Sequence, residues 1–168
     1  MAITLNGNGT VTGLSSLPDS AMSAGSVIQT VTGTTSTQVT DNDTTAVDTG
    51  LSATITTTSN NNKVIVLVSQ DLWVQRYNTV GTFAAYIKLL RDSTTLLTQV
   101  AGGGDSHSNG DAWNSDFGTH GIIYQDSPGN AGSYTYKTQF YCNNSSTVAY
   151  AQMSGTQTST ITLLEIKV

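Results

Sequence analysis

Charge is what this sequence most conspicuously lacks: Asp, Glu, Lys and Arg make up 10% of its 168 residues. The six basic residues, Lys63, Arg76, Lys88, Arg91, Lys137 and Lys167, are scattered, and the net charge is −5. Phosphate backbones are bound by clusters of Lys and Arg, so nucleic acid is excluded as a partner. Glu165 is the single glutamate, and no window keeps apolar residues at a sustained helical spacing, which predicts little or no helix. Cys142 is the single cysteine, so no intrachain disulfide can form; its place in an alternating stretch predicts a small buried hydrophobe. No window reaches the roughly 18 apolar residues of a membrane-spanning helix, so no membrane partner is expected. The opening Met-Ala-Ile-Thr-Leu-Asn-Gly has neither a basic region nor an apolar stretch of signal-peptide length. A soluble protein made in the cytoplasm, or one built into something assembled there, is expected.

What fills the space is Thr, Ser, Asn and Gly, interleaved with Val and Ile. That composition favours β-structure with many turns. The chain is organised around Lys63-Val-Ile-Val-Leu-Val68, its longest run of large apolar side chains, bounded by Asn60-Asn61-Asn62 and Ser69-Gln70-Asp71. A strand apolar on both faces must lie between two layers, or between its own sheet and a neighbouring subunit. Strands are also predicted at Val27–Val31, Thr37–Thr40, Thr45–Gly50, Leu51–Thr56, Phe83–Leu90, Thr94–Val100, Thr119–Tyr124, Ser133–Cys142, Thr147–Met153 and Ser159–Val168. Residues 101–118 read as the longest irregular loop. The fold class that follows is all-β: a jelly-roll-like two-sheet β-sandwich of about eight strands over 29–168, preceded by an extended N-terminal attachment arm over 1–28. Ile3, Leu5, Val11, Leu14, Leu17 and Met22 recur along the arm as sparse apolar anchors, as if to lie on another chain. Several strands are apolar on both faces, so the surplus must meet partner subunits and a homo-oligomer is expected; a closed homotrimer is preferred by analogy with the fold alone.

Chemistry finds few footholds. Asp105-Ser106-His107-Ser108-Asn109-Gly110-Asp111, with Asp116, loosely has the alternating oxygens of a calcium loop, but no helices flank it and Asp116 replaces the usual Glu. His107 and His120 have no third zinc ligand close in sequence. Gly102-Gly103-Gly104 is followed by no Lys and no helix, so it is not a phosphate loop. No Gly-x-Ser-x-Gly elbow is present, and the aspartates stand in turn contexts where Asp is common. No catalytic residue, cofactor or metal is therefore assigned, and the protein is expected not to be an enzyme. Trp73, Arg76, Tyr77, Trp113, Phe117 and Tyr124 could form a surface for glycans or a partner, or serve as loop plugs and subunit contacts.

Gln38–Thr56, Asn62–Val68, Lys88–Ser93, Tyr124–Pro128, Tyr134–Phe140 and Thr158–Ile166 together resemble a domain recurrent in tailed-bacteriophage virion proteins. Such domains are similar to the trimeric jelly rolls of fibre tips and of capsid decoration or cement proteins. The likeness spans about residues 27–168, and the leader is similar to the N-terminal arms of phage structural proteins. It implies a virion component; a short arm with one globular domain and no shaft repeat fits a capsid-exterior cement or head-fibre protein, which would bind the major capsid protein or another virion protein and stabilise the shell. A receptor-binding tip or fibre module that recognises host surface glycans is the alternative it implies.

Overall fold

The computed structural model describes residues 4–5, 11–12, 21–77, 80–106, 113–153 and 156–168. Among them there is no α-helix. Short strands β1 (Thr4–Leu5) and β2 (Val11–Thr12) pair antiparallel in the leader. Ten further strands follow: β3 (Val27–Thr35), β4 (Val39–Asp41), β5 (Val47–Thr57), β6 (Lys63–Tyr77), β7 (Gly81–Arg91), β8 (Thr94–Ser106), β9 (Trp113–Asp126), β10 (Gly132–Cys142), β11 (Thr147–Ala151) and β12 (Ser159–Ile166).

These ten form two sheets. The smaller has the order β5-β10-β7-β8. In the larger, β6 pairs along its whole length with β9; on its other edge, Lys63–Ser69 pair with β12 and Leu72–Arg76 pair with β11. β3 then flanks β12, and β4 flanks β11. If β3, β5, β6, β7, β8, β9, β10 and β12 are counted one to eight, the sheets run 1-8-3-6 and 2-7-4-5. This is the pairing of two interlocked Greek keys, a jelly roll, with β4 and β11 as an added pair.

Alternation of side chains along each strand builds the core between the sheets. Val64, Val66 and Val68 of β6 meet Leu51 and Ile55 of β5, Ile87 and Leu89 of β7, and Tyr136 and Phe140 of β10 in one buried cluster. At Gly33 of β3 the backbones of the two sheets lie close together, since a Cβ there would overlap the backbone carbonyl of Ser52.

Three sequence-based expectations change. The pieces at 45–50 and 51–56 are one strand, β5, which carries Gly50 at φ 84° without breaking. The irregular loop expected over 101–118 shrinks, because β8 runs on to Ser106 and β9 begins at Trp113. Gly102 and Gly103 read as turn residues but lie in β8 with φ of 137° and 146°. A Cβ on Gly103 would collide with the Phe83 carbonyl, so glycine there allows close backbone approach rather than a turn. The first sandwich strand begins at Val27 as expected, and Gly25 and Ser26 just before it exchange backbone hydrogen bonds with Lys167.

The only glutamate is wholly buried beneath this end of the larger sheet. Glu165 Oε1 accepts from Thr58 N (2.7 Å), Thr58 Oγ1 (2.9 Å) and Asn62 Nδ2 (2.7 Å), and Oε2 accepts from Gln29 Nε2 (2.5 Å). Burial alone would raise its pKa, but the bonds from Asn62, Gln29 and Thr58 outweigh burial and hold it below the usual carboxylate value.

Candidate functional site

The outward face of the larger sheet carries the odd-numbered residues of β6. At one end of it, Ile65 stands opposite Leu164 of β12, and Leu67 stands opposite Ile123 of β9. Ile65 and Leu164 are half-buried, Leu67 is 38% exposed and Ile123 is 82% exposed. The central strand thus has one face in the core and a second that its own chain covers only in part.

Three rows further along the same face, Trp73 of β6 lies between Tyr150 of β11 and Phe117 of β9, both in direct register with it. Trp73 stacks on Tyr150 with ring centroids 5.0 Å apart and planes inclined by 26°. Gln75 Nε2 donates to the Tyr150 hydroxyl at 3.0 Å, so the tyrosine is held from both sides. Trp73, Phe117, Met153 and Gln157 line a groove of about 300 Å³, almost wholly apolar in its walls. Phe117 is 53% exposed. Gln157 Oε1 is out of contact with water and has no hydrogen-bond partner among the described residues.

Met153 and Gln157 belong to the connection from β11 to β12, and a buried polar chain fixes its base. Thr49 and Thr138 share a hydroxyl contact of 2.6 Å, Thr138 Oγ1 donates to Gln70 Oε1 (2.9 Å), and Gln70 Nε2 donates to Ser159 Oγ (2.9 Å). Gln152 Nε2 also donates to Ser159 Oγ (2.9 Å), and its backbone N–H reaches Asp71 O (3.2 Å). All five of these side chains are buried. They hold Gln152 at φ 51°, a left-handed conformation that a non-glycine residue keeps only when its surroundings enforce it.

The other residues singled out in the sequence fall elsewhere. Tyr77 lies on the same outward face as Trp73 but at the end of β6, exposed. Trp113 begins β9, with its backbone opposite Tyr77. Tyr124 sits opposite the buried Val66 and packs against the core, away from the groove. Arg76 is buried and donates to Thr82 O. Of the arm residues, Leu5 pairs with Val11 through β1 and β2, and Met22 is half-buried; Ile3, Leu14 and Leu17 lie outside the described residues. Met153, Gln157 and Tyr150 carry no local signal, because they reach Trp73 only through the pairing of β11 with β6.

The carboxylates of the calcium-like stretch are spread over two strands. Asp105 Oδ1 accepts from Thr82 Oγ1 (2.8 Å), and Asp116 Oδ2 accepts from Gly103 N (3.0 Å). His107, Asn109 and Asp111 lie outside the described residues. No group of three or more His, Cys, Asp or Glu suited to a metal ion is found among the described residues. Burial lowers the pKa of His120, against the opposing pull of Asp116 and Asp71. Cys142 is buried and its thiol is pushed up to about 12, first by burial and then by Asp41.

No family model and no curated protein matches this sequence. Solved structures with partial likeness include T=1 particles derived from infectious bursal virus (14% identity, TM-score 0.38, covering 85% of this chain and 37% of that one). Infectious bursal disease virus Gt strain gives 13% identity and a TM-score of 0.38, covering 99% of this chain and 47% of that one. Dimeric latent PorU from Porphyromonas gingivalis scores almost the same, at 5% identity and a TM-score of 0.37, covering 86% of this chain and 14% of that one. The chain thus spans less than half the length of each. Proteins so different score alike, so these likenesses carry no functional argument.

Proposed function

We propose that this chain is a non-enzymatic virion structural protein: a homotrimeric decoration or cement protein on a bacteriophage capsid exterior, which binds the major capsid protein and stabilises the shell. The observation that carries the assembly part is Ile123, 82% exposed within the paired length of a fourteen-residue strand and directly opposite the partly covered Leu67. Burying an Ile or Leu side chain fully is worth about 1.5–3 kcal/mol. Docking this face on another copy would bury most of Ile123 and the exposed part of Leu67, roughly one such increment or a little more per subunit. The virion part is supported by the sequence resemblance, whose phrases fall on β4–β5, β6, the β7–β8 hairpin, the β9–β10 turn, β10 and β12. The fold by itself does not choose among functions, since jelly rolls serve capsids, lectins and cupins alike.

Sedimentation velocity on the full chain tests the assembly. A trimer is expected, and Ile123→Asp, which places a charge on that face, should give a folded monomer by circular dichroism and sedimentation. A wild-type chain that is monomeric at ~50 μM, a level at which even weak interfaces of micromolar affinity assemble, would overturn the reading. The virion role is tested with particles: deleting residues 1–25 should leave the trimer intact and abolish its incorporation into the shell. A deleted chain incorporated as well as the full one removes the arm from the attachment.

A further inference from the structure

We infer that the groove between Trp73 and Phe117 is a sugar-binding site, and that its ligand is the neutral pyranose ring of a 2-acetamido sugar. This site lies apart from the apolar patch proposed for assembly. Ile123 and Leu67 are six residues along their strands from Phe117 and Trp73, about 20 Å at the rise of an extended chain.

The indole supplies the platform. Trp73 is held flat by its stack on Tyr150, which in turn is pinned by Gln75. An aromatic face is electron-rich, and the C–H face of a pyranose is its electrostatic and steric complement. A rigid ring loses little entropy when it binds, which matters for weak ligands. The volume of about 300 Å³ is at the small end for a ligand site and suits one ring with one substituent rather than an extended peptide.

The walls select the substituent. Phe117 and Met153 offer apolar surface, and Gln157 offers a polar amide among the described residues. A plain hexose presents only a hydroxyl at the position of the substituent, which gives the apolar wall of Met153 and Phe117 nothing to pack against. An acetamido group brings a methyl for Met153 and Phe117 and a single N–H. That N–H is what the site lacks, because Gln157 Oε1 is an acceptor removed from water with no donor. The terminal torsion of glutamine is broad, so a small turn of the amide aims this oxygen at an incoming group.

Charge selects a neutral sugar. The four lining residues are uncharged, and Arg76, the basic residue nearest in sequence to Trp73, is buried with its guanidinium on Thr82 O. Asp71, one row from Trp73 on the same face, is bonded to Thr119 and would repel a carboxylated or phosphorylated ligand. The far wall is also built rather than incidental, since the Thr49–Thr138–Gln70–Ser159–Gln152 chain forces Gln152 into its left-handed turn just before Met153.

Saturation-transfer NMR on the full chain tests this with N-acetylglucosamine and N-acetylgalactosamine, and with glucose and galactose as controls. At least one acetamido sugar should respond, most strongly at its acetyl methyl, and bind about tenfold better than its parent hexose, the worth of one added hydrogen bond. Gln157→Ala should remove that tenfold preference and leave the weak hexose response unchanged. Trp73→Ala should abolish the response; Phe117→Ala, at a largely exposed position, should weaken it without touching the core. Ile123→Asp should keep sugar binding whether or not it changes assembly, so the two readings fail separately. No response from either acetamido sugar overturns the inference, as does a response unaltered in Trp73→Ala and Phe117→Ala. So does a groove filled by a second copy, seen as a smaller oligomer for Phe117→Ala.

Discussion

Replacing Glu165 by Gln tests the one buried carboxylate among the described residues that is held by hydrogen bonds without an ion pair. Its two oxygens accept four hydrogen bonds from Thr58, Asn62 and Gln29. Glutamine keeps the shape but turns one acceptor into a donor. If its amide nitrogen faces Gln29, one donor meets another; if it faces Thr58 and Asn62, three do. Hydrogen bonds to a charged group are worth about 1.5–3 kcal/mol each, and an unsatisfied buried donor costs about 1–3 kcal/mol. Gln29 retains a bond to Thr56 O and Asn62 one to Thr58 Oγ1, which softens the loss. A net destabilisation of about 2–4 kcal/mol is therefore expected at pH 7. The pH dependence carries the sharper signature. Because the folded pKa is depressed, the stabilisation is fully present above the unfolded value of 4.5 and is lost as pH falls through the lower folded value. Denaturant unfolding at fixed protein concentration, from pH 7 down to the acid limit, should show the gap between wild type and Glu165→Gln narrowing below the unfolded pKa. Equal stability at pH 7, or a gap independent of pH, would refute the account of Glu165 as an anionic hub.

Two more predictions are independent of that network. Gly33→Ala should destabilise by several kcal/mol or prevent folding, because the new methyl meets the Ser52 backbone of the facing sheet; thermal unfolding measures it, and a Tm within a degree of wild type contradicts that packing. Cys142 should resist a thiol reagent at pH 8 in the native protein and react promptly in denaturant, because burial pushes its thiol up to about 12. Reaction at the rate of a free thiol without denaturant would show that β10 opens readily.

Much of the sandwich was legible as period-two patterning. Leu51, Ala53 and Ile55 read as one face and are buried together; of Tyr134, Tyr136, Thr138, Phe140 and Cys142, which read as one face of β10, all but the partly buried Tyr134 are buried. The excess of apolar surface on the central run was legible too: Ile65 and Leu67 are its outward part, and Leu67 stands opposite Ile123 of β9. Residues 101–106 and 113–118 were misread because glycine and aspartate signal turns locally, while β8 uses Gly102 and Gly103 to let its backbone lie close to β7. The aromatic set was legible only as a list. Trp73 and Phe117 meet because β6 and β9 pair in that register, whereas Tyr124 has the opposite parity along β9 and turns to the core.

Sequence alone therefore determined the class of structure, the alternating strands and the surplus of apolar surface, since these depend on residues within a few positions of one another. Tertiary structure decided which strands became neighbours. That choice is made by contacts between distant segments: it brought Met153 and Gln157 to Trp73 and gathered Thr58, Asn62 and Gln29 around Glu165. No local pattern encodes such a meeting, because its energy comes from closing the two sheets on each other.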